Sequence, residues 1–378
     1  MRAKRREPSS RLPIHHRAAV RATLVLLILA AGCTAAQAPS APAATPTVMA
    51  PLAAASAATA APEMQTIRLG ALSSTTDAGF FVGLDRGYFR EEGLDVELTP
   101  FDSAARMVAP LSAGQLDVGG GSPSAGLFNA ISRGIDIKLV ADKGSAPPGF
   151  GFEALLFRHD LAESRRLRNP GDLRGLRVGT SARGTAGDPA MVAYLRPYGL
   201  TLDDVEMVEL NFAEHATALA GGTLDASVNI EPFVTRIVDE GLGTIYQRID
   251  SVLPGDQIAV VLYGGQFAKD APDAAQRFLV AYLRAVRYYN DAFVRGDAAK
   301  RQEVVATLAA HTAVKDTALY DRMVMPGLQP DGRINLDSLA RDQEVWLGEG
   351  LQQARIELGE VVDQSFAEAA VRSLGPYP

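Results

Sequence analysis

Two stretches of the chain repeat one plan. MVAPLSAGQLDVGGGSPS (107–124) and ATALAGGTLDASVNIEP (216–232) each run through a helix, a glycine turn, Leu-Asp, a strand and a polar loop. Around them, strand and helix patterns alternate at short spacing. TIRLGAL, LDVELTPF, LDVGGG and DIKLVAD read as strands in the first half. EALLFRHDL, LRGLRVGT, VEMVEL, LDASVN, TIYQRI and QIAVVLYGG read as strands in the second. Such alternation builds parallel α/β sheets. Two similar halves predict two lobes facing each other over a cleft. Beyond QIAVVLYGG the pattern becomes helical and amphipathic over 272–295, 298–311, 317–323 and 336–358, with the only tryptophan, Trp346, on a packed face.

The N-terminal segment is of another kind. MRAKRREPSSRLPIHHRAAVR is basic, and Thr23 to Cys33 (TLVLLILAAGC) is apolar and ends in small residues. A charged start, a short apolar run and a small-residue end predict a secretory signal, the run being about half the roughly 20 residues a spanning helix needs. Ala30-Ala31-Gly32-Cys33 resembles the lipobox of bacterial lipoproteins, with Ala30 where that pattern prefers leucine. Residues 1–33 are therefore expected to be a lipoprotein signal with Cys33 as the lipid anchor, the alternative being an ordinary signal with an incidental cysteine. Arg5-Arg6 lacks the hydrophobic continuation of a twin-arginine signal. Residues 34–63 are rich in Ala and Pro, and their prolines at 39, 42, 46 and 51 interrupt any helix, which predicts a tether.

Composition narrows the chemistry. Cys33 is the only cysteine; once it is lipidated, no thiol is left for a nucleophile, a zinc thiolate or an iron–sulfur cluster. A net charge of −7 argues against nucleic acid as the main partner. The five histidines show no metal-ligand spacing, and no phosphate-binding Walker loop is present.

Three motifs carry a family resemblance. Gly87 to Leu94 (GYFREEGL) matches a helix that ends Gly-hydrophobe-Phe-x-x-x-Gly-Leu. Ser112 to Gly119 (SAGQLDVG) and Asp172 to Gly179 (DLRGLRVG) match a second hallmark and the strand that opens a second lobe. Over roughly Thr66 to Tyr246 the sequence resembles the NMT1/THI5-like periplasmic substrate-binding proteins of ABC importers, with their sulfonate-, nitrate- and taurine-type relatives. The resemblance implies an α/β, two-lobed periplasmic-binding-protein fold, type II-like, hinged by two crossing strands for which EALLFRHDL and QIAVVLYGG are suited. Lobe one would be 64–155 plus 262–378 and lobe two 156–261. It also implies a binder whose partners are a small molecule, an ABC permease and its ATPase; with the lipobox, the expectation is a lipid-anchored extracytoplasmic monomer without catalysis or cofactor.

Ligands of α/β sheets bind beyond the carboxyl ends of strands. That rule selects Ser73, Ser74 and Thr75 (followed by Asp77), Phe101, Asp102 and Ser103, and Gly119 to Gly121 with Ser122 in the first lobe. In the second it selects Ser181, Arg183 and Thr185, then Asn211 and Phe212, then Asn229 and Glu231. Two readings of VGGGSPS stand side by side. The glycines bring backbone N–H groups close to a ligand under the positive end of a helix starting near Ala125, or they form a strand-to-helix turn capped by Ser124. Arg183, the only basic residue of these loops, suits an anion or an interlobe contact. Asp77, Asp102 and Glu231 bias the loops toward a neutral or cationic organic ligand, a thiamin pyrimidine precursor being the lead, with alkanesulfonate, taurine and nitrate open. The enzyme alternative rests on SPSAG (122–126), which approaches a nucleophile elbow, with His215 and His311 downstream. Ser122 stands where that motif has glycine, and His215 beside Glu214 reads as helix surface. Family members that make the thiamin pyrimidine use pyridoxal phosphate and a cysteine-rich segment, which this chain lacks. A ligand sensor serving a receptor is the third alternative.

Overall fold

QTIRLGA forms β1 (Gln65–Ala71), whose Ile67, Leu69 and Ala71 are buried. The structure, a computed structural model, describes residues 64–378; the expected signal, Cys33 and the tether lie outside them. After β1 come α1 (Ala78–Asp85) and α2 (Tyr88–Glu91). Gly87, at φ 73°, divides the single helix expected over 80–90, because the left-handed conformation ends a helix. Then follow β2 (Leu94–Pro100), α3 (Val108–Ser112), β3 (Val118–Gly121), α4 (Ala125–Ser132) and β4 (Ile137–Ala146).

The chain next builds β5 (Glu153–Arg158), α5 (His159–Glu163), β6 (Arg177–Thr180), α6 (Gly187–Leu195) and β7 (Glu206–Glu209). α7 (His215–Ala220), β8 (Ala226–Ile230), α8 (Phe233–Asp239) and β9 (Gly243–Arg248) complete that part, and β10 (Asp256–Gly264) returns to the first sheet. The remainder is helical: α9 (Gly265–Asp270), α10 (Pro272–Phe293), α11 (Ala298–His311), α12 (Leu336–Gly348), α13 (Leu358–Val361) and α14 (Ser365–Leu374). The helix expected over 336–358 stops at Gly348, ahead of Gly350 at φ 68°. None of the described helices is long and apolar enough to cross a membrane.

The two sheets share one strand order, β2-β1-β3-β10-β4 and β7-β6-β8-β5-β9. In each, the antiparallel strand is the first one built after the chain changes lobes, β10 in one and β5 in the other. The ladders begin at the first residue of each, Asp256 opposite Ala146 and Glu153 opposite Ile230. The crossings therefore run through 147–152 and 249–255, so β5 and β10 each lie wholly in one sheet, and the changes of lobe precede both strands instead of falling within them.

The repeated Leu-Asp has a matched task in both lobes. Asp117 accepts Arg68 N–H at 2.8 Å, Nε at 2.9 Å and Nη2 at 2.6 Å. Asp225 accepts Arg177 N–H at 3.1 Å, Nε at 3.0 Å and Nη2 at 3.0 Å. Each clamp ties the lobe's first parallel strand to its third. The leucine before each aspartate lies under a glycine: a Cβ on Gly70 would stand 3.0 Å from Leu116 Cδ1, and one on Gly179 2.6 Å from Leu224 Cδ1.

α10 carries the largest buried face and packs against α1, α11 and α14. α12 packs against both β10 and α6, touching both lobes. Its Trp346 is fully buried, edge-on to Phe128, and donates Nε1–H to the Thr185 carbonyl at 3.3 Å.

Candidate functional site

Between the two sheets lies a cavity of about 340 Å³. Ser73, Ser74, Asp102, Ser103, Ser122, Ser181, Thr185, Asn211 and Phe212 line it, each at the carboxyl-end loop where the strand rule put it. Thr76, Phe101, Phe152, Glu153, Glu214, Phe233, Ile258 and Ala259 line it as well. Phe152 ends the first crossing, and Glu153, Ile258 and Ala259 lie in the opening residues of β5 and β10, which follow the two crossings. A rule about strand ends cannot find them, because β5 and β10 enter the cavity at their amino ends.

The structure gives the other expected residues different partners. Thr75 Oγ1 donates to the Glu231 carbonyl at 3.3 Å, closing the seam between the lobes. Glu231 is fully buried; it pairs with Arg248 at 3.0 Å and accepts the Thr235 N–H at 2.9 Å. Asn229 is also buried, donating from Nδ2 to the Phe212 carbonyl at 3.1 Å. Arg183 is held by Asp188 at 3.1 Å and lies 3.6 Å from Glu349, which favours its interlobe role. Asp77 faces Lys143 rather than the cavity.

The glycines of VGGG serve packing. A Cβ on Gly120 would lie 2.5 Å from Phe80 Cε2 and 2.6 Å from Lys143 Cε, and one on Gly121 2.5 Å from Ala104 Cβ. Gly121 thus seats the 3₁₀ turn that carries the Asp102–Ser103 loop. The turn reading also holds at the helix: Ser124 Oγ accepts the Leu127 N–H at 3.2 Å, and the Ala125 N–H donates to the Gly184 carbonyl at 2.8 Å. The first N–H of α4 is therefore committed to the other lobe.

Ser122, His215 and His311 share no hydrogen bond with one another. Buried His215 lies 2.7 Å from Ser227 Oγ and 3.1 Å from the Leu210 carbonyl, a core bridge between α7 and β8 rather than helix surface. Burial lowers its pKa. His311 stacks on Phe81 and lies 2.7 Å from Asp85.

Two features mark the cavity lining. Among its described residues there is no lysine, arginine or histidine, while Asp102, Glu153 and Glu214 are acidic. At its rim Ser73 holds the left-handed conformation, φ 54°, which costs a side-chain-bearing residue about 1 kcal/mol or more.

Known proteins share this architecture. A curated protein of Brucella abortus, named a binding protein, is 22% identical over 206 residues, 54% of this chain and 60% of that protein's length. The zinc-bound ligand-binding component of an ABC-type import system from Staphylococcus aureus superposes with a TM-score of 0.67 at 17% identity, over 82% of this chain and 100% of that one. The alkanesulfonate-binding protein SsuA of Xanthomonas axonopodis, bound to MOPS, gives 0.63 at 18%, over 80% and 99%. These likenesses establish the two-lobed periplasmic-binding-protein fold. Residues 60–309, more than half of the sequence, match a single family, and the chain belongs to it: the NMT1-like family.

Proposed function

We propose that this protein is the extracytoplasmic solute-binding component of an ABC importer, capturing a small organic molecule between its lobes and presenting it to a permease and its ATPase. The observation that carries the reading is the interlobe cavity, lined by loops of both sheets and by the opening residues of β5 and β10, which follow the two crossings. A cavity of about 340 Å³ is at the lower end of the range for small-molecule sites. The nine expected residues that line it, with Phe101 and Phe233, supply hydroxyls, an amide and aromatic faces for the ligand. Family membership and the importer components among its structural relatives support the same reading.

The lining also orders the ligand classes. A buried sulfonate or nitrate needs a cation or several converging donors, and no basic side chain is among the described lining residues. A neutral or cationic organic ligand fits better, with the thiamin pyrimidine precursor as the first compound to test. The N-terminal pattern supports a lipid anchor at Cys33, which would hold a monomeric binder at the outer face of the membrane.

The test is a thermal-shift panel of pyrimidines, sulfonates, nitrate, aromatic acids and polyamines. A ligand at a thousand times its Kd stabilises by about 4 kcal/mol, several degrees in Tm. A large shift from one class names the cargo; no shift from any class sinks the reading.

A further inference from the structure

Glu153 and Asp256 occupy matched places, each the first residue of the strand that follows a lobe crossing. Both are buried, at 2% and 1% exposure. Asp342 of α12, also buried, completes a group of three carboxyls. One guanidinium serves them: Arg341 donates from Nη2 to Asp256 and lies 3.6 Å from Asp342. Ser338 Oγ donates to Asp256 at 2.9 Å. Glu153 receives neither group. Among the described residues it makes no ion pair, and its Oε1 has no hydrogen-bond partner.

The position of that carboxyl follows from strand geometry. Alternation puts the Glu153 side chain on the face of β5 shared by Leu155 and Phe157, which pack with Ala186 and Tyr194. Ala186 and Gly187 line the cavity, as do Phe152 and Ile258, and Glu153 lies among them in the lining. The charged and titratable groups around it are Asp256 from β10, Asp342 and Arg341 from α12, and Tyr194 from α6; Arg248 of β9 is taken up by Glu231. Burial first, and then Asp256, holds the Glu153 carboxyl well above the ordinary carboxylate range, and burial does the same to Asp342.

A buried carboxyl without a partner costs free energy that a suitable donor recovers. Three carboxyls around one guanidinium are neutral only while two of them hold protons, and a cation arriving at Glu153 can take the place of the proton on that carboxyl. We infer that Glu153 is the specificity-determining contact of the cleft, and that the ligand class is organic cations presenting an ammonium or amidinium nitrogen to it from an apolar or aromatic skeleton. The inference rests on the cleft being the ligand site. Phe101, Phe152, Phe212 and Phe233 supply aromatic surface for such a skeleton. Binding exchanges charge for charge. Any proton that Glu153 holds in the free protein goes to the solvent, the ligand nitrogen keeps its own, and the carboxylate and the cation pair in the cavity.

The experiment is calorimetric titration of the full chain at pH 7 with phenethylamine, benzamidine, 2-phenylethanol and phenylacetate, beside the panel above. Each is run in phosphate and in Tris, whose different ionisation heats reveal proton release. The amine or amidine is expected to bind at least tenfold tighter than the alcohol or the acid and to release protons to the buffer. Glu153→Gln, which keeps the shape, should lose at least tenfold in affinity for the cation and all of the proton release, with its thermal midpoint unchanged or raised. Glu153→Asp should fall between. Binding confined to neutral or anionic compounds, or cation binding untouched by Glu153→Gln, overturns the inference and leaves the binding-protein reading standing. No binding by any compound of either set overturns both.

Discussion

Lys143 Nζ lies 2.8 Å from Asp77 Oδ1, and neither side chain is exposed. The same ammonium donates to Thr76 Oγ1 at 2.8 Å, and Thr76 lines the cavity. Asp77 in turn accepts the N–H of Ser74 at 2.9 Å. The first cavity-facing loop is thus fixed from behind by a buried ion pair. Lys143→Met leaves Asp77 an uncompensated buried charge and should cost about 3–5 kcal/mol. Adding Asp77→Asn should restore much of it. Urea unfolding of the two single variants and the double variant checks this; equal loss in Lys143→Met and the double variant would sink it.

The two arginine–aspartate clamps should behave as independent copies. Asp117→Asn weakens charge-assisted hydrogen bonds to the partly exposed Arg68 and should cost about 1–2 kcal/mol; Asp225 also accepts from Arg158 Nη1 at 3.0 Å, so Asp225→Asn should cost at least as much. The clamps lie in different sheets and share no partner, so the double variant should show the sum to within about 0.5 kcal/mol. Chemical denaturation of the three variants gives the answer.

Acidity should stabilise the protein. Burial pushes the Asp142 carboxyl up to about 7, against hydrogen bonds from the Gln329 N–H and Gln257 that hold it down. The unfolded chain releases this proton near pH 4, so between pH 4 and 7 the native state holds a proton that the unfolded state has lost. The contribution is fully present below pH 4 and disappears as pH rises through 7. Glu153, Asp256 and Asp342, raised chiefly by burial, act in the same sense. His215, lowered by burial, acts in the opposite one as pH falls below its ordinary range. Asp142→Asn should flatten the decline in Tm between pH 5 and 7.5; a decline as steep as in the parent would contradict the assignment.

Ser73 spends backbone energy at the cavity rim. Ser73→Gly relieves the left-handed conformation and should raise stability by up to about 1 kcal/mol while removing a hydroxyl from the lining. A Tm scan and a titration with the first ligand found would show the two effects moving in opposite directions.

Gly121→Val should do harm where Gly126→Ala does not. The first drives a side chain into Ala104 and displaces the turn behind Ser103, costing about 1–3 kcal/mol. A Cβ on Gly126 has only Ser124 Oγ near it, at 3.9 Å. Thermal midpoints separate the two.

Much of the architecture was legible because each signal was local. The strand alternation, the Leu-Asp echo and the helix over 298–311 all lie within one element or one turn of it. The loops carrying Ser73, Ser122, Ser181 and Asn211 followed from the strand-end rule without knowledge of packing. What escaped was set by distant partners. Asn229 lies near the end of β8 rather than in the loop, Glu231 follows the strand, and they are spent on Phe212 and Arg248, which no spacing in the sequence announces. The glycines of β3 answer to Phe80, Lys143 and Ala104, tens of residues away along the chain. Glu153 begins a strand that reads as plain core, and its meaning appears only when Asp256 and Asp342 arrive beside it.

The matching strand orders make the cleft something like the seam of an internal dimer. Two bodies of one design are joined by two crossings and by α12, so a change in their separation is a quaternary change carried out inside a single polypeptide. The likeness stops at the sheets, since α10, α11 and α14 pack on the first body; the seam joins unequal halves.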